Sequence, residues 1–275
     1  MARGPITLSL PSFSGATRKL VLIMVAVFFG DVILGLVLPS RFYVPLVQHL
    51  ALHPGDVAHG EIWQLATYLF LPMGITGSLF ALLTLWFIGS MLEDLRGSRW
   101  LYELFFTSAI GGAILATAIA YTHLFGLNPV SAMAAGCYAG IFGLLIAVAV
   151  LMGDTEFLLL FVIRIKAKYL VAIYILINIA VLLKSDNAFG ALLQLCGTAC
   201  GYLFLRFAAR KGLTYLVSER LYAIRNDFYR RKRRNAAKKF EVYMRKQDRV
   251  VHFDKDGRYI APEDKRDPTD KRWMN

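Results

Sequence analysis

Six apolar stretches, each near the length needed to cross a lipid bilayer, set the terms for everything else in this chain. Leu20 to Leu38 is interrupted only by Gly30, Asp31 and Gly35. A run of this kind matches the roughly 20 residues that a helix needs to span about 30 Å of hydrocarbon. Further stretches lie at about 62–91, 100–123, 131–152 and 168–184, and a sixth runs from Lys184-Ser185-Asp186-Asn187 to about Phe207. Inside lipid every backbone N–H and C=O must be paired within its own segment, so these stretches are expected to be helices. The fold class expected is an all-α membrane protein, a six-transmembrane-helix bundle with a basic cytoplasmic tail. A content of 57% hydrophobic residues excludes an ordinary soluble domain.

Proline marks the breaks. Pro39-Ser40 stops the first helix, and Pro72-Met73-Gly74 is placed to interrupt the second. Asp31 sits inside the first span, where an ionisable group normally faces a bundle interior or a wet cavity. It reads either as a cavity-lining acid or as a hydrogen-bonded packing residue. Residues 39–61 are too polar to span and read as an exposed or interfacial loop. Their three histidines, His49, His53 and His59, are irregularly spaced and have no evident carboxylate partner, so no metal site is expected. No cofactor motif is found. The first run is long for a signal-peptide core and no A-x-A-like cleavage site follows it, so it reads as an anchor.

Loop charges alternate. The N-terminal segment 1–19, the second and fourth connectors and the tail hold nearly all the Lys and Arg of the loops. By the positive-inside rule both termini are expected in the cytoplasm. Three regions follow: the cytoplasmic segment 1–19, a membrane domain 20–207, and a basic tail 208–275. From Arg210 onward 20 Lys/Arg face 10 Asp/Glu, which accounts for most of the net charge of +12. The tail opens with a helical pattern from Leu213 to about Lys246, containing Arg230, Arg231, Lys232, Arg233 and Arg234. Directly after a membrane helix, such a cluster is expected to meet anionic lipid headgroups rather than nucleic acid. Asp254, Asp256, Gly257 and Glu263 fall at calcium-loop spacings, but His252 holds the first position and Pro262 opposes a following helix. A hairpin turning at Asp256-Gly257 is the simpler reading. The three cysteines, Cys137, Cys196 and Cys200, lie in apolar runs and read as packing residues.

Gly136-Cys137-Tyr138-Ala139-Gly140-Ile141-Phe142-Gly143-Leu144-Leu145 leaves one helix face almost bare, as Gly197 and Gly201 do on the sixth helix. Such small-residue faces let helix backbones approach closely in a bilayer. Residues from about 60 to 207 resemble the rhomboid family of intramembrane serine proteases. The resemblance rests on Glu61 to Leu71, on the G-x-x-x-E turn of Trp86 to Glu93 with Gly97-Ser98, and on Gly136 to Leu145. Arg164 to Leu170 and Cys196 to Leu203 complete it. It implies a six-helix rhomboid-like bundle with a lateral opening between helices and a locally thinned bilayer.

The family's reactive residues do not carry over. Its serine position is Tyr138 and its histidine position is Gln194. The positions of its oxyanion donors are Gly77 and Ala81, and Gln64 stands where a tryptophan–arginine pair has its arginine. Glutamine is no general base near neutral pH. The five histidines are His49, His53, His59, His123 and His252, none inside the second, fourth, fifth or sixth helix. A pseudoprotease that binds or positions transmembrane clients without cleaving them is therefore expected. The alternatives are a structural subunit of a larger membrane complex and a protease with an unorthodox site. Tyr138, Gln194, Gly136, Cys137 and Asp31 are the expected cavity lining, with Tyr138 hydrogen-bonded to Gln194. Gly136, Gly140, Gly143, Gly197 and Gly201 are the expected packing positions. The compartment expected is a bacterial-type plasma membrane.

Overall fold

A computed structural model describes residues 13–123, 126–159, 163–184, 187–207, 213–246, 251–255 and 258–260. α1 (Gly15–Val37) leads into three short helices, α2 (Ser40–Leu50), α3 (Pro54–Ala58) and α4 (Gln64–Thr67), and a 3₁₀ turn at Tyr68–Phe70. α5 (Gly74–Arg96), α6 (Ser98–Ala120) and α7 (Tyr138–Leu151) follow. β1 (Glu156–Leu159) and β2 (Ile163–Lys166) form an antiparallel hairpin before α8 (Ala167–Lys184) and α9 (Ala188–Phe207). Among the described residues α1, α5, α6, α8 and α9 are long and apolar enough to cross a membrane. The chain is thus an all-α multi-pass membrane protein.

Two expectations about the elements need correction. The 39–61 segment is helical for much of its length. α2 leaves Phe42, Val44 and Leu46 exposed and buries none of its residues, as an amphipathic helix on the bilayer surface does. The fourth apolar helix begins at Tyr138 instead of 131 and has only 14 residues, about 21 Å of rise. Gly136 explains the late start: its φ of +92° is outside the helical range, and its N–H donates to the Tyr68 carbonyl at 2.8 Å. The extended segment before it is pinned by paired hydrogen bonds between Leu52 and Ala134 at 2.9 and 3.0 Å. The expected interruption of the second span is present, with Leu71, Pro72 and Met73 outside any helix.

α9 and α6 form the centre with α7. In its most apolar window α9 is 67% buried and α6 50%, against 11% for α1. The reason is a seam of glycines. A Cβ on Gly112 of α6 would lie 2.8 Å from the Gly197 Cα, and one on Gly201 would lie 2.8 Å from the Gly143 Cα. Backbone meets backbone at both points. A Cβ on Gly197 would collide with the Ala139 carbonyl, and one on Gly140 would come within 2.5 Å of the Phe105 ring. The expected packing positions therefore pack, with one exception: Gly136 lies outside the helix and serves the turn. The Cys200 thiol covers Gly111.

The G-x-x-x-E turn has a physical purpose. Glu93, only 8% exposed, accepts the backbone N–H groups of Ala16 and Thr17 at 2.6 and 2.9 Å, and the Thr17 hydroxyl at 2.7 Å. Ser98, the first residue of α6, donates to the same carboxylate. One side chain thus caps α1, whose first N–H groups have no helical partner, and ties the α5–α6 turn to it. Gly89, one turn earlier, lets Thr17 approach. A Cβ there would lie 3.1 Å from the Thr17 side chain. Outside the spans Asp154 is bound by Lys168 at 2.9 Å and Lys166 at 3.5 Å. Those bonds hold its carboxyl below the usual range.

A second compact unit covers Thr214–Asn275. It holds α10 (Leu213–Arg245) but for its first residue, and the antiparallel pair β3 (His252–Phe253) and β4 (Tyr259–Ile260). The two described strands pair antiparallel, with Phe253 edge-on to both Phe240 and Tyr259. Asp256, Gly257 and Glu263 lie outside the described residues.

Overpacking the seam is expected to be damaging. Gly197→Val should lose about 1–3 kcal/mol or more of stability, seen as a lowered unfolding temperature in detergent. Gly30→Ala, with nothing within 4 Å of the added methyl, should leave that temperature unchanged. Glu93→Ala orphans the α1 cap and should lose about 2–3 kcal/mol in the same measurement.

Candidate functional site

The family's nucleophile position opens α7 and lines a cavity of about 350 Å³. Tyr138 and Gln194 both line it, as do Asp31 of α1, Tyr43 of α2, Met73 before α5, and Asn187 before α9. The expected lining residues Asp31, Gly136, Tyr138 and Gln194 are therefore brought together. Cys137 is not on this cavity. It is buried and lines a smaller pocket on the α1–α5 side, with Ala81 and Met73.

The expected hydrogen bond from Tyr138 to Gln194 is not formed. The Tyr138 hydroxyl donates to the Gly77 carbonyl of α5 at 2.7 Å. A phenol is long and rigid, so from the first residue of α7 it reaches across to the neighbouring helix. The position that holds a nucleophile in rhomboid proteases is here a strut between α7 and α5. Gly77, an expected oxyanion position, offers an acceptor where chemistry would need a donor. Ala81, the other, is buried and apolar. An oxyanion needs donors about 2.7–3.1 Å from its position, and neither side chain supplies one. Gln194 uses its backbone carbonyl to accept the Thr198 hydroxyl at 2.9 Å.

Asp31 accepts the Tyr43 hydroxyl at 3.0 Å. Burial, then that hydrogen bond and the carboxylate charge, hold the Tyr43 phenol above its ordinary range, so it stays protonated and donating. Sequence reasoning missed Tyr43 because it sits in a segment read as a loop. Helical periodicity in Ser40–Leu50 was the available signal. Met73 was missed too. Its thioether lies over Gly136, 2.9 Å from where a Cβ would be.

A polar collar joins the segments between α2 and α4. Gln64, fully buried, accepts the His53 N–H at 2.8 Å and donates to Glu61 at 2.7 Å. Glu61 in turn meets His49 at 3.1 Å, a carboxylate–histidine pair that sequence spacing did not reveal. The Trp63 indole donates to the His49 carbonyl. Tyr68, also fully buried, donates to the Ala109 carbonyl of α6 at 2.8 Å. Gln64 thus links His53 to Glu61 through both ends of its amide. Among the described residues no group of three His, Cys, Asp or Glu side chains is placed to hold a metal ion. On α10 the side chains Arg230 to Arg234 are all exposed, and Arg234 donates to the Lys255 carbonyl.

Among the described residues, five helices of spanning length, the shorter apolar α7, a G-x-x-x-E cap and a glycine seam define a rhomboid-like, multi-pass helical membrane protein. Residues 21–243 match a family described as "Eukaryotic integral membrane protein (DUF1751)", and the chain belongs to that family. It is 30% identical over 182 residues to Rhomboid-like protein 19 of Arabidopsis thaliana, an alignment covering 64% of this chain and 58% of that protein. The chain therefore spans less than two thirds of that relative's length. The family is described as eukaryotic, so the expected bacterial-type plasma membrane is withdrawn. Hydropathy and loop charge report a bilayer and a sidedness but carry no signature of the organism.

Restoring the reactive pair is not expected to restore proteolysis. Tyr138→Ser with Gln194→His should remain unlabelled by a fluorophosphonate probe, because the donors for the oxyanion are still missing. An active rhomboid protease labelled in parallel is the reference.

Proposed function

We propose that this protein is a rhomboid-like pseudoprotease that binds or positions transmembrane segments of client proteins without cleaving them. The observation that carries the reading is the Tyr138 hydroxyl donated to Gly77, which occupies the reactive position with a structural bond. The histidine inventory supports it: within the membrane unit His49, His53, His59 and His123 all lie outside α5, α7, α8 and α9. The cavity in front of Tyr138 supports it as well, since a concave site without catalytic groups is suited to binding. In this reading both termini face the cytoplasm, because Arg18, Arg96, Arg99 and Lys168 gather at one end of the alternating helices.

A second reading, as a subunit of a larger membrane complex, is favoured by α10. That helix exposes Tyr222, Phe228 and Tyr229 beside Arg230 to Arg234. The same surface suits anionic lipid headgroups, which attract each basic residue by about 1 kcal/mol near the surface.

A photoreactive amino acid at Tyr138, followed by mass spectrometry, separates these readings. Client binding is expected to give crosslinks to several intact membrane segments. Crosslinks to one stoichiometric partner would favour the subunit reading, and recovery of cleaved segments would overturn both.

A further inference from the structure

The cavity in front of Tyr138 carries a charge pattern that the protein's own packing leaves unanswered. Asp31 lies six residues before α1 ends at Val37, about 9 Å from the helix end. Its carboxylate takes a hydrogen bond from Tyr43, and no Lys, Arg or His is among the described residues that line the cavity. The Gln194 side chain has no intramolecular partner among the described residues. The Tyr138 hydroxyl spends its one hydrogen on the Gly77 carbonyl, so its oxygen is left with acceptor capacity alone. The wall is therefore rich in acceptors and holds one acid. An ionisable side chain inside a membrane span normally has an opposite partner, and the described residues lining this cavity supply none.

We propose that the cavity receives a single basic side chain, Lys or Arg, carried by a membrane segment of a client, with Asp31 as its counter-charge. The inference rests on the client-binding reading and adds the chemistry that selects the client. A Lys ammonium brings three donors, and an Arg guanidinium five, to match Asp31, the Tyr138 oxygen and the Gln194 amide oxygen. About 350 Å³ has room for one long side chain. The rim stands open, with Met133 51% exposed and Asn187 also exposed. A phospholipid amine fits less well, because its phosphate would enter beside Asp31 with no basic residue to receive it. A basic residue in a client span is itself poorly solvated in lipid, so the pairing relieves both partners.

The test uses the full chain in phosphatidylcholine nanodiscs and a Leu/Ala spanning peptide carrying one Lys two turns from one end. Energy transfer between labelled partners reports binding. The Lys peptide is expected to bind at least tenfold more tightly than its Leu counterpart. D31N should bring it within twofold of the Leu peptide. D31K paired with a Glu peptide should regain the preference, which separates charge pairing from misfolding. Equal binding of Lys and Leu peptides, or indifference to D31N, overturns this inference and leaves client binding standing. If no peptide binds, client binding falls with it. If phosphatidylethanolamine abolishes the Lys preference, the amine that Asp31 recognises is the lipid's and the inference is overturned.

Discussion

Everything in the membrane unit depends on the contact of α9 with α6 and α7 through bare backbone. Lipid tails are as apolar as leucine, so burying apolar area does not draw these helices together. Close approach does, through dispersion and short backbone contacts that side chains would prevent. Gly112 against Gly197 and Gly143 against Gly201 bring the chains to that range. α7 is too short to cross a bilayer of ordinary thickness, and with most of its residues buried it is held from both sides by this seam. The seam thereby places Tyr138 in the cavity wall.

Around this core the polar groups act as fasteners. Glu93 closes α1 onto the α5–α6 turn, Tyr68 ties the 3₁₀ turn to α6, and Gln64 with Glu61 and His49 closes the collar. Tyr138 joins this set. A rhomboid scaffold that keeps an open reactive centre needs a small hydroxyl there and a base near it. A phenol hydrogen-bonded to α5 instead fixes a distance between two helices. Asp31 is different in kind, since its only described partner is Tyr43 and it faces open space.

Much of this was legible in the residues, for reasons that are local. The interruption at Pro72, the tail helix and the hairpin beyond it follow from proline chemistry, helical periodicity and turn residues, which act over a few positions. The small-residue faces were legible because glycine at i and i+4 has few uses in a span. What escaped was non-local. The start of α7 depends on a hydrogen bond from Gly136 to Tyr68, almost seventy residues earlier. α2 was hidden by its mixed polarity, which a bilayer surface turns into a helix. The His49–Glu61 pair and the Tyr138–Gly77 bond join elements that only folding brings together.

By itself the sequence determined that this is a membrane protein of repeated apolar helices, that it resembles rhomboids, and that no histidine falls within α5, α7, α8 or α9. Those conclusions need only composition, periodicity and the presence or absence of a residue type. The tertiary structure alone decided what occupies the vacated positions. Tyr138 turned to Gly77 instead of Gln194 because the acceptor within reach of a phenol is set by where α5 lies against α7. Asp31 came to share a cavity with Gln194 because α1 and α9 converge there, and no spacing along the chain encodes that distance.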